Sequence, residues 1–222
     1  VPFVRGTETI ADDIRIRESL PTIEYILAAG GSVVLCTHRG RPGGKQDPTL
    51  ELGPIAERLA ILLKRSVEYI HDCAGDVAQQ RVSKLEPGGV AMLENVRFWA
   101  EEEMNDTVFA ERLSQLADVY VNDAFGAAHR AHASTSAIGA FMPAVAGLLM
   151  EKELTFLGAV LSEPELPLAA VLGGAKVSDK IAVLDRLIGH AEHLIVGGGM
   201  AATFLKAAGC PIGASLLEEA ML

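Results

Sequence analysis

A short apolar run, Val119-Tyr-Val, ends in Asn122 and Asp123, and a glycine-turned segment then delivers His129, Arg130 and His132. His38 and Arg41 follow a second apolar run, Arg97 follows a third, and Arg15 lies near the start of the chain. Arginine forks bind phosphate and carboxylate bidentately and stay charged at any working pH. Ligands of open α/β sheets sit in the crevice beyond the carboxyl ends of the strands. Any one of these arginines alone reads as a surface residue. Their recurrence at the same topological position points to a pocket for a small molecule bearing both anionic groups. Asp123, His129 and His132 form a poor metal set, because arginine separates the histidines and no third strong ligand is fixed. A structural role for His132 is the simpler reading.

A second chemistry sits later in the chain. Gly173-Gly174-Ala175-Lys176-Val177-Ser178-Asp179-Lys180 follows an apolar strand and opens a helical pattern. Glycines let backbone approach a phosphate, a helix amino end attracts its charge, and lysines can follow it. Spaced four apart, Lys176 and Lys180 are expected on one helical face. The spacing differs from the Gly-x-x-x-x-Gly-Lys-Ser/Thr phosphate loop, and a glycine turn with two solvated lysines is the bland alternative. Gly197-Gly198-Gly199-Met200-Ala201-Ala202 formally satisfies Gly-x-Gly-x-x-Ala, with Glu218 and Glu219 as acidic residues downstream. It reads either as a dinucleotide turn or as room made for a flat base.

The elements that must carry these groups follow from periodicity. Helical spacing joins Leu20, Ile23 and Leu27, with Ser19 as the expected cap and Gly30-Gly31 as the stop. Residues 32–37 form a strand apolar enough for burial on both faces. A helix covers 52–63; strands cover 67–70, 90–95 and 119–122; a helix over 108–116 is capped by Asn105 or Asp106. One longer helix spans 148–161, and two prolines among acidic residues at 162–167 mark a domain boundary. Strand 168–172, helix 177–188, strand 193–196 and helix 200–208 then resume the alternation. Strands alternating with helices imply parallel βαβ units. The expected fold is α/β, with two Rossmann-like parallel-sheet domains joined by a helix and the second cut short. Residues 1–147 form the first domain, 148–164 the helix and linker, and 165–222 the start of the second.

Bulk properties narrow the partners. The 222 residues carry 19 basic against 29 acidic side chains, for a formal charge of −10, which disfavours nucleic acid and anionic membranes. No apolar stretch approaches the ~20 residues of a membrane span, and no leader pattern opens the chain. Cys36, Cys73 and Cys210 are unevenly spaced in mostly apolar surroundings, which suits a reducing compartment. Glu101-Glu102-Glu103 reads as a solvated loop or helix start. Ser134 and Ser136 lie near histidines but lack a nucleophile-elbow setting. The chain opens at Val1-Pro2 and stops at Met221-Leu222 inside a helical pattern, so a longer parent protein is expected.

Together, Thr37-His-Arg-Gly-Arg-Pro42, Leu93-Glu-Asn-Val-Arg-Phe98, Val121-Asn-Asp-Ala-Phe-Gly126 with His129-Arg-Ala-His132, Gly173 to Lys180, and Gly197 to Met200 resemble the signatures of the phosphoglycerate kinase family, in order. The resemblance implies reversible phosphoryl transfer between 1,3-bisphosphoglycerate and ADP, giving 3-phosphoglycerate and ATP, with Mg2+ and closure of a two-domain cleft. It places Arg15, His38, Arg41, Arg97, His129 and Arg130 on 3-phosphoglycerate. Gly173, Gly174, Ala175, Lys180, Gly197, Gly198 and Gly199 would border the nucleotide, with Arg15, Lys176 and Lys180 at the transferring group. It further implies a cytoplasmic protein, monomeric at full length. Relative to the family pattern, a substrate-contacting Asp/Asn strand before Val1 is missing. So are the magnesium-binding Asp and a Gly-Gly-Gly-Asp-Thr loop after Leu222, so little or no turnover is expected of this chain alone. Arg39 replaces a more usual apolar residue and either adds charge to the site or points to solvent. A dehydrogenase using Gly197 to Ala202, and a kinase-like domain that only binds metabolite anions, are the rival readings.

Overall fold

The computed structural model describes residues 1–4, 6, 7, 9–162 and 165–222, with Leu161 described by its backbone alone. Glu163 and Pro164 of the expected linker lie outside them. The described chain divides into two compact units, Val1–Glu153 and Leu154–Leu222, and the division falls inside a helix.

In the first unit, strands β1 (Val33–Leu35), β2 (Glu68–Ile70) and β3 (Val90–Leu93) form a parallel sheet in the order β1-β3-β2. Val33 pairs with Val90 and Ile70 with Leu93. All four residues of β3 are buried, and the pleat explains why. Alternate side chains leave a strand on opposite faces. Val90 and Met92 enter one core with Ile16, Ile23, Ile55, Leu59 and Leu63. Ala91 and Leu93 enter the other with Ala78, Phe109, Ala110 and Leu113. The helices on these two faces are α1 (Ile14–Arg17), α2 (Leu20–Ala28) and α3 (Gly53–Leu63) against the first core, and α4 (Asp76–Val82) and α6 (Thr107–Ser114) against the second. A short α5 (Ala100–Glu103) precedes α6. A second parallel pair joins β4 (Tyr120–Asn122) to β5 (Ala144–Ala146), flanking α7 (Phe125–Ala128). Helix α8 (Leu148–Ser162) follows.

The second unit pairs β6 (Ala169–Gly173) with β7 (His193–Gly197), again in parallel, with α9 (Ile181–Ile188) between them and α10 (Gly198–Ala207) after them. Val177, Leu184 and Met200 form its buried centre.

Several expectations are corrected. Ser19 holds the expected N-cap position of α2 but makes no capping bond, because its Oγ donates back to Ile16 O at 2.8 Å. Of the two expected caps of α6, Asp106 is the one that serves, accepting from Phe109 N at 2.8 Å. Helix α9 begins at Ile181 rather than Val177, so Lys176 and Lys180 do not share a helical face. The Val177 and Ser178 amides are bonded instead to Glu218, at 2.6 and 3.1 Å. Short elements at α1, α4, α5, α7 and β5 escape a periodicity reading, since four to seven residues, or three small ones, show no period. Cys73 is buried, but Cys36 and Cys210 are exposed, and all three are free thiols.

Candidate functional site

The loops beyond β1 and β3 are held together by one buried side chain. Asn95, fully buried, donates to Arg39 O at 2.8 Å and Leu50 O at 3.0 Å, and accepts from Arg39 N and Arg97 N at 3.3 and 3.2 Å. This clasp fixes the segment carrying His38 and Arg41 beside the 3-10 turn Val96–Phe98 that carries Arg97. Arg97 is 5% exposed. It donates from Nη1 to Gly40 O at 2.9 Å, and its Nε lies 3.4 Å from Glu103 Oε1. Yet Arg97 Nε makes no hydrogen bond, and neither does the buried Nη1 of Arg130. Buried donors without a hydrogen-bond acceptor are rare and expensive, and here two lie on guanidinium groups that feel each other's charge.

The electrostatics agree. Burial pushes the His38 imidazole down to about 4, assisted by the charges of Arg97, Arg130, His132 and the chain's amino terminus. Burial also lowers Arg97 from its ordinary value, Glu103 opposes that shift, and the charges of Arg130 and Arg41 add to it. His38, Arg41, Arg97, Arg130 and His132 therefore share one positive neighbourhood. Arg15 stands exposed on α1. His129 stands exposed at the C-terminal cap of α7. Arg39 lies over the Phe3 ring at 3.4 Å and donates to Glu51 O.

Glu102 was expected in a solvated run but is 2% exposed. It accepts from Ser134 N at 2.9 Å and Ser134 Oγ at 2.7 Å, and lies 3.6 Å from His132 Nδ1. It thereby anchors the histidine-arginine loop to α5, a link across 32 residues that local sequence does not announce. Asp123 likewise serves structure rather than metal. Its Oδ1 accepts from Leu149 N and Met150 N at 2.9 and 3.1 Å, while Thr22 Oγ1 takes Leu148 N at 3.0 Å. A carboxylate at these otherwise orphaned amides stabilises the start of α8. Asp123, His129 and His132 are not brought together as ligands among the described residues.

In the second unit the two glycine motifs meet. Gly173 and Gly197 are register partners, and Met200 N donates to Gly174 O at 2.9 Å. Gly198 has φ +66°, and a Cβ there would sit 3.1 Å from Gly174 O; one on Gly199 would sit 3.2 Å from Ala175 Cα. These two glycines are required by backbone-on-backbone packing. Gly173 and Gly197 differ, since an added Cβ would meet nothing closer than 3.9 Å. A side chain would make only ordinary contacts at either position, so packing does not demand glycine there. Lys180 extends over Gly174, its Cε 3.2 Å from where a Cβ would be, while Lys176 is exposed. Glu218 is committed to Val177 N, Ser178 N and the Ser178 hydroxyl. Ser178 first, and then those amides and the Lys176 charge, draw its carboxyl below the usual range. So engaged, Glu218 is not free to hold a ribose, which weakens the dinucleotide reading.

The fold and these sites define an α/β protein of parallel-sheet units, one with a cluster of basic side chains beyond its strands, the other with interlocked glycine turns and lysines. The phosphoglycerate kinase family model matches residues 1–222, and the chain belongs to that family. Phosphoglycerate kinase from Desulforudis audaxviator is 56% identical over 218 residues, 98% of this chain and 55% of the relative. That of Pelotomaculum thermopropionicum is 52% identical over the same shares. The solved structure of phosphoglycerate kinase from Coxiella burnetii matches with a TM-score of 0.83 at 41% identity, covering 99% of this chain and 55% of that one. The chain thus spans about half the length of the relatives it matches. Among the described residues, no helix is long and apolar enough to cross a membrane.

Proposed function

We propose that this chain carries the 3-phosphoglycerate site and the first part of the nucleotide site of a phosphoglycerate kinase, the enzyme that moves a phosphoryl group from 1,3-bisphosphoglycerate to ADP. The observation that carries the reading is the pair of buried, unsatisfied donors on Arg97 and Arg130 beside neutral His38. Arg15, His38, Arg41, Arg97, His129 and Arg130 would bind phosphate and carboxylate of 3-phosphoglycerate. Gly173, Gly174, Ala175 and Gly197 to Gly199 would border the nucleotide.

In the reaction, a terminal oxygen of ADP bonds to the acyl phosphate's phosphorus, the phosphorus–oxygen bond to the carboxyl group breaks, and 3-phosphoglycerate leaves as its carboxylate. Such transfer depends on positioning and charge neutralisation more than on covalent chemistry. Lys180, stretched over Gly174, would meet charge on the transferring group; Lys176 and Arg15 would assist. Mg2+ would come with the nucleotide phosphates. Among the described residues, no three acidic, cysteine or histidine donors converge beside Lys176 and Lys180, so no step is assigned to the metal here. A reducing, cytoplasmic setting and a monomeric full-length protein accompany this reading, as does little or no turnover by this chain alone.

Calorimetric titration with 3-phosphoglycerate, with NAD as comparison, tests the proposal. Binding of 3-phosphoglycerate with at least about tenfold loss in Arg130→Ala, a difference of ~1.4 kcal/mol, is expected. Tight NAD binding with no response to 3-phosphoglycerate would reverse the assignment.

A further inference from the structure

The geometry points to a divalent transition-metal site formed by Glu51, His71 and Glu94, on the same loops as the basic residues described above, Arg39 donating to Glu51 O. His71 and Glu94 each stand one residue beyond neighbouring strands β2 and β3, whose register pairs Ile70 with Leu93. Glu51 follows the 3-10 turn Pro48–Leu50. One ligand atom from each residue lies within 4.8 Å of the other two, and His71 Nδ1 is 3.7 Å from Glu94 Oε2. Tetrahedral ligands at ~2.1 Å from a metal are ~3.4 Å apart, so the His71–Glu94 spacing is already close to that edge. The remaining contraction falls on Glu51 and the exposed His71 rather than on the buried carboxylate.

A second observation calls for a cation. Glu94 is 2% exposed, and among the described residues its sole ion-pair partner is His71. Its carboxylate accepts from Asn95 N at 2.6 Å through Oε1 and from the Tyr69 hydroxyl through Oε2. Neutral donors orient the group, and a bound cation would compensate the charge of a carboxylate held almost wholly out of water. Tyr69 also packs edge-on to the His71 ring at 4.4 Å, so one side chain positions two ligands, as outer-shell groups of metal sites do. Two carboxylates and one imidazole favour Zn2+, Co2+ or Mn2+ over Mg2+. A carboxylate oxygen has a second lone pair to offer beyond the one that Tyr69 engages.

The test is titration of the whole 222-residue chain with Co2+, followed by calorimetry and by the visible absorption of the bound ion. One equivalent is expected, with affinity falling at least about tenfold in His71→Ala and in Glu51→Gln. Both substitutions are on accessible side chains, so folding is preserved, as far-UV circular dichroism will verify. Cys210→Ser should change nothing. Absence of binding at millimolar Co2+, undiminished affinity in both variants, or a thiolate-to-cobalt charge-transfer band would each overturn the site.

Discussion

Removing the Glu102 carboxylate should loosen the first unit far more than its place in a run of three glutamates suggests. Its side chain is 3% exposed and receives two hydrogen bonds from Ser134, at 2.9 and 2.7 Å. Glu102→Ala removes the charged acceptor of both half-buried Ser134 donors, and a hydrogen bond to a charged group contributes about 1.5–3 kcal/mol. Relief from holding a carboxylate out of water offsets part of this, so a net loss of about 3 kcal/mol is expected. For chains of this size, ~1 kcal/mol moves Tm by ~2–4 °C, which places the variant roughly 6–12 °C lower. Trp99, the sole tryptophan, sits one residue before α5 and stacks on Phe109 at 6.4 Å. Its fluorescence therefore reports unfolding of the first unit without interference from the second. Glu101→Ala, on an exposed neighbour, should stay within ~0.5 kcal/mol of wild type. Equal stability of the two variants would refute the claim that Glu102 anchors the histidine-arginine loop.

Two further outcomes follow from charge and from backbone space. His38 is held down to about 4 in the folded chain, below the ~6.5 of an unperturbed imidazole, so the unfolded state binds its proton more readily. The stability this contributes is full above about pH 6.5 and is lost as pH falls toward 4. His38→Gln should flatten that part of the pH–stability curve, and a phosphate ligand should raise the His38 pKa in an NMR titration. A curve unchanged by the substitution would contradict the assignment. In the second unit, Gly198→Ala and Gly199→Ala should lower the melting temperature, whereas Gly173→Ala and Gly197→Ala should leave it in place and weaken ATP binding. The reverse pattern in differential scanning fluorimetry would show that the packing roles are misassigned.

Composition and pattern determine much of this protein directly. Alternation of apolar runs with helical spacing gives parallel α/β units, because a strand such as Val90–Leu93 with no polar face must be covered on both sides. The ordered motifs around His38, Arg97, Arg130, Lys180 and Gly197 point to the family, and each is a local string that needs no neighbour to be read. What the tertiary structure alone decides is which side chains meet across long stretches of chain. Asn95 clasping residues 39 and 50, Glu102 holding Ser134, Glu218 taking the Val177 amide, and His71 beside Glu94 all depend on segments 23 to 56 positions apart. A carboxylate in a charge run looks the same on paper whether it faces water or a serine. Only the packing of α5 against the loop beyond it turns Glu102 inward, and only backbone contact between the two glycine turns separates the glycines that packing requires from those that it does not.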